Sequence, residues 1–172
     1  MINNHEIEIA RHCITYAMEQ GASAARVSLS KGSMDACTLL NGELDKVTHS
    51  ADRSIYLYLF VDGRYGTFST NRLEKEEVEE FIRNAVEMVR MLGQDEHRRL
   101  PDPDRMEKGA VTGRELDLYD EEYFNGNADS RLEKAYGISM FDKIEKSDIY
   151  RLISEECEYS ESIDDNYLAD SQ

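Results

Sequence analysis

The run Ile55-Tyr56-Leu57-Tyr58-Leu59-Phe60-Val61 is apolar on both faces, with aliphatic and aromatic side chains alternating. A strand carries such a pattern when it is covered on both sides, so this segment must sit inside a sheet. Pairs suited to tight turns stand around it: Lys31-Gly32, Asn41-Gly42 and Asp62-Gly63, each compatible with positive φ. They separate the segments 25–30, 34–40, 44–49, 55–61 and 65–70. These read as an antiparallel meander of about five strands of ordinary length.

Two helical stripes flank the meander. Ile7, Ala10, Cys13, Ile14, Ala17 and Met18 recur at three- and four-residue steps, which predicts an amphipathic helix. Gly21 supplies its stop, and His5, Glu8 and His12 fall on its polar face. Val78, Phe81, Ile82, Ala85, Val89 and Leu92 form the second stripe, running to Gly93. Glu74, Glu76, Glu77, Glu79 and Glu80 crowd its start, where acids suit the positive end of the helix dipole; Asn71 and Glu74 are both candidate N-caps. A sheet with one greasy face needs a cover, and two amphipathic helices supply it. The expected fold class is α+β, with residues 1–93 forming an N-terminal domain.

Both prolines, Pro101 and Pro103, fall within 94–113, and proline cannot continue a helix. This stretch reads as an extended linker, and 114–172 as the incomplete start of a following domain. There, 130–146 is a candidate helix weakened by Gly137, and 150–159 and 166–169 are candidate strands. Charge shifts across the join. Residues 1–92 carry 10 basic and 14 acidic side chains, whereas 93–172 carry 10 and 22. The stretch 155–172 holds no basic residue and reads as a solvated acidic run. Its strand-like end at Gln172 suggests a fragment of something longer.

The net charge of −16 repels phosphate backbones, so no direct contact with nucleic acid is expected. No stretch approaches the roughly 18 apolar residues of a membrane span. No leader pattern opens the chain, and a cytoplasmic location is expected. Cys13, Cys37 and Cys157 form neither a disulfide framework nor a CxxC site, and read as buried, reduced thiols.

Chemistry-bearing motifs are scarce. His5, Glu8 and His12 have the spacing of a two-histidine-plus-carboxylate metal site, but their face points to solvent. His49 and His97 have no ligand partner at a recognisable spacing. HExxH and HExxxH place two imidazoles on one zinc; after His5-Glu6 the required positions hold Ile9 and Ala10. No Gly-x-Ser-x-Gly elbow occurs, Cys37 lacks the surroundings of an activated thiol, and 61–66 joins strand to strand instead of cradling phosphate at a helix start. The acidic stretch lacks the twelve-residue calcium loop. The expected catalytic, cofactor-binding and metal residues of this chain are therefore none.

The stretch 59–73, with its aliphatic strand, its Asp62-Gly63-Arg64 turn, Gly66 and Ser69, resembles the N-terminal domain of the TldD/PmbA family. The helix through 85–90, Asn41-Gly42-Glu43-Leu44-Asp45, the Gly21-Ala22 helix end, Leu118-Tyr119-Asp120 and 167–172 resemble further segments of that family. The family is labelled modulator of DNA gyrase and regarded as zinc-dependent peptidases. The resemblance implies a cytoplasmic protein whose zinc motif, HExxxH, lies in a later domain of active members and is missing from inactive partners of the PmbA kind. It also implies a homologous or related subunit as partner, in a homo- or heterodimer, and extended peptides or unfolded polypeptides as substrates. Zinc is thus expected only in a C-terminal domain beyond residue 172, if the full protein is an active member, and this chain is expected to wall the substrate cavity and contact a subunit. An exposed sheet edge offers a place for an extended peptide. The alternative is an acidic binding protein that imitates DNA and modulates gyrase or a similar nucleic-acid enzyme; a free-standing small adaptor is a third reading.

Overall fold

A computed structural model of the chain describes residues 1–106, 116–144 and 149–172. Its elements run α1 (Asn4–Glu19), β1 (Ala24–Leu40), β2 (Glu43–Val61), β3 (Arg64–Thr70), α2 (Lys75–Arg90), a 3-10 turn (Pro103–Arg105), α3 (Glu122–Asn125), α4 (Ala128–Ile138) and β4 (Glu156–Asp170). The class is α+β as expected, with an antiparallel sheet in the order β3-β2-β1-β4. The strand count is corrected. The expected 25–30 and 34–40 are one strand, as are 44–49 and 55–61. Lys31-Gly32 is not a turn: β1 runs straight through it, between β2 and β4 in the sheet order. In contrast, Asn41 (φ 53°) with Gly42 (φ 79°) and Asp62 (φ 50°) with Gly63 (φ 70°) do turn the chain, as two-residue hairpins with both central angles positive. The two candidate strands near the end are likewise one, β4.

The chain forms two compact units. The first comprises Met1–Lys31, Asp52–Ala110 and Asp164–Gln172; the second comprises Gly32–Ala51 and Val111–Ile163.

In the first unit, β2 pairs with β3 from Ile55↔Thr70 to Val61↔Arg64. Leu57, Leu59, Val61, Val27 and Leu29 turn one face toward α1 and α2 and are fully buried with Val78, Ile82 and Val89. The α1 stripe is rotated from the expected one. Glu6, Ile9, Ala10, Cys13, Ile14 and Ala17 are buried, whereas Met18 is exposed. The helix stops at Gly21 (φ 98°), with Gly21 N–H donating to Met18 O and Ala22 N–H to Ala17 O, both at 3.0 Å. That pair of bonds satisfies the last carbonyls of the helix. Glu74 is the N-cap of α2, without a side-chain bond, and the helix ends at Arg90 with Met91 as its cap, short of Gly93. Leu92 is consequently exposed.

Gly66 marks where β3 meets α2. A Cβ there would lie 2.8 Å from Val89 Cγ2 and 2.9 Å from Phe68 Cε2. Gly66→Ala is expected to lower stability by about 2 kcal/mol through overpacking, read as a lower urea midpoint at unchanged slope. An unchanged midpoint would show that Val89 and Phe68 move apart freely.

In the second unit, Cys37, Leu39 and Ala135 form a small core with Leu132, Cys157 and Tyr159 against it. Asn127 caps α4 by accepting from Ser130 N–H. The helix ends at Ile138, well before the expected 146; residues 145–146 lie outside the described ones. The start of β4 is fixed by Glu155. Its carboxylate accepts from Ser139 Oγ (3.0 Å) and Met140 N–H (2.6 Å), while its backbone exchanges bonds with Asn41. Residues 107–113 of the expected linker lie outside the described residues.

Candidate functional site

The histidines come first, because sequence spacing offered them as ligands. His5 and Glu8 are exposed. His12 is half-buried, with Nε2 2.8 Å from Glu79 Oε1, so α1 and α2 share a side-chain hydrogen bond that spacing along one helix does not show. His49 Nδ1 lies 2.8 Å from Asp35 Oδ1. His97 sits in a turn, its N–H donating to Asp95 Oδ1. Among the described residues no three His, Cys, Asp or Glu side chains gather where they could hold a metal ion. Zinc takes three or four protein ligands, so the pairs His12–Glu79 and His49–Asp35 do not fit it.

Cys13 and Cys37 are buried and Cys157 is half-buried; all three are free. Burial pushes the Cys13 thiol up to about 12, leaving it without thiolate at neutral pH. Native alkylation with iodoacetamide is expected to label Cys157 first, with Cys13 labelled only after unfolding. Early modification of Cys13, read by peptide mass spectrometry, would contradict the packing of α1.

Among the described residues of the first unit one charged side chain is buried. Glu6 is 3 % exposed. It accepts from Asn3 N–H (2.9 Å) and Lys31 Nζ (3.0 Å), and Arg53 Nη1 lies 3.3 Å away. Burial works to raise its pKa, but the Asn3 amide, Lys31 and Arg53 outweigh it and hold the carboxyl below its usual value. The sequence carried the sign of this: Asn3 followed three residues later by Glu6 is a capping box.

The second unit holds a denser network. Arg131, 9 % exposed, donates from Nε to Glu161 Oε2 at 2.8 Å, and its Nη2 lies 3.4 Å from Asp35 Oδ2. Tyr123 donates to Asp35 Oδ2 at 3.2 Å, and its ring lies under the Arg131 guanidinium. Lys134 Nζ donates to Glu161 Oε1 at 2.7 Å and to Tyr159 OH at 2.9 Å. Glu161 is held down to about 2, first by Lys134, then by the Tyr159 hydroxyl, with Arg131 adding to them against burial. Asp35 is lowered chiefly by the His49 bond, with help from Arg131 and Tyr123. Lys134, Tyr159, Glu161, Asp120, Glu122, Tyr123 and Ser162 line an open cleft of about 200 Å³.

Within this unit β4 alternates. Cys157, Tyr159 and Glu161 turn toward α4, while Glu156, Glu158, Ser160 and Ser162 are exposed. β4 is the last strand of the sheet order, so its outer edge has no strand partner among the described residues. The second unit carries 7 basic and 17 acidic residues, which leaves it strongly negative. The stretch that reads as a solvated acidic run is therefore an ordered strand with one face bound and one face open.

Known proteins are similar to this chain as follows. Residues 25–89 match the family described as PmbA/TldA metallopeptidase domain 1. A solved protein from Bacteroides thetaiotaomicron, described as a candidate modulator of DNA gyrase, is 33 % identical with a TM-score of 0.89, covering 99 % of this chain and 37 % of its own. A second candidate modulator, from Thermotoga maritima, is 15 % identical with a TM-score of 0.71, covering 96 % and 35 %. TldE from Thermococcus kodakarensis is 15 % identical with a TM-score of 0.58, covering 94 % and 36 %. At 15 % identity the last two show the fold alone. This chain spans little more than a third of the length of each. No curated protein matches it. No helix among the described residues is long and apolar enough to cross a membrane.

Proposed function

Because the chain carries the first domain of the TldD/PmbA family over residues 25–89, we propose that it is the non-catalytic N-terminal portion of a subunit that handles polypeptides. Its work is to wall a substrate cavity and to contact a homologous or related subunit. On the resemblance given above, the zinc-bearing helix of active members would belong to length that this chain does not span. Zinc there would act as a Lewis acid and activate water. The residues here bind and orient polypeptide, and hold no part of the bond-breaking step.

The observation that carries this reading is the family match, which overlaps the buried β2–β3–α2 block. Its test uses reduced, carboxymethylated α-lactalbumin, a permanently unfolded polypeptide, mixed with the 172-residue chain and followed by analytical ultracentrifugation. Association is expected with the unfolded form and not with native lactalbumin. No association, or equal association with both, would overturn it.

A second reading draws on the net charge of −16 and on the description of the Bacteroides thetaiotaomicron relative as a candidate gyrase modulator. There the acidic surface stands in for DNA. Salt-sensitive co-purification with gyrase would favour it; unchanged supercoiling at micromolar protein would remove it.

A further inference from the structure

We draw no further inference here: the strongest candidate, the cleft of the first unit where Arg64, Arg98 and Arg99 converge beside Phe60 and Leu100, is lined also by Gln172, the last residue of the sequence, and nothing in the structure shows what covers it.

Discussion

Arg131→Ala is expected to lower the unfolding free energy by about 3 kcal/mol. Removing the guanidinium leaves Asp35 and Glu161 on one face of the sheet without the cation between them. Tyr123 also loses the group its ring lies beneath. Breaking a buried pair by deleting one partner costs more than replacing the whole set with neutral groups. The triple variant Arg131→Met, Asp35→Asn, Glu161→Gln is therefore expected to recover part of the loss. For a chain of this size the single variant corresponds to a fall in Tm of roughly 6–12 °C, measured by calorimetry. Hydrogen exchange is expected to quicken in the second unit first. A Tm within a degree of wild type would mean that Lys134 alone holds Glu161, and the network would lose its stated importance.

Glu6→Ala is the second large effect, at about 2–3 kcal/mol. The substitution opens the capping box at Asn3 and leaves Lys31 and Arg53 facing no carboxylate. The pH dependence follows from the same geometry. Glu6, Asp35 and Glu161 all have pKa values lowered by folding. A carboxyl lowered by folding contributes fully above its ordinary pKa and loses that contribution as pH falls through its folded value. For Glu161 that window runs from 4.5 down to about 2. Wild-type stability is thus expected to fall steadily with acid below pH 4.5. Glu6→Gln is expected to flatten part of that slope and Glu161→Gln a larger part, as read by urea midpoints across the range. Parallel slopes in wild type and both variants would contradict the assignments.

Local signals were legible in the chain. Asn41-Gly42 and Asp62-Gly63 turn because both residues of each pair take positive φ, which the pair itself specifies. The apolar run 55–61 holds fully buried Leu57, Leu59 and Val61, but Tyr56 on its other face is exposed, so the expected cover on both faces does not hold along the run. Lys31-Gly32 misled because glycine also tolerates an extended strand, and only neighbouring strands decide between the two. The α1 stripe is rotated because Glu6, which no apolar periodicity marks, is buried on the inner face, where a carboxylate held by several donors can leave solvent. The Arg131 network was not legible at all. Asp35, Arg131 and Glu161 are brought together by pairing β1 with β4 and laying α4 across them, and no spacing in the sequence records that. The acidic stretch showed its charge but not its alternation, since Cys157, Tyr159 and Glu161 disclose a bound face only once α4 is in place.

The central claim is that this polypeptide contributes contact surface and leaves bond cleavage to length it does not span. Zinc analysis of the chain, after zinc loading and desalting, alongside a fluorescent casein cleavage assay on the same sample, addresses that claim most directly. The account expects substoichiometric zinc and no turnover above buffer. Stoichiometric zinc together with turnover that a chelator abolishes would contradict it.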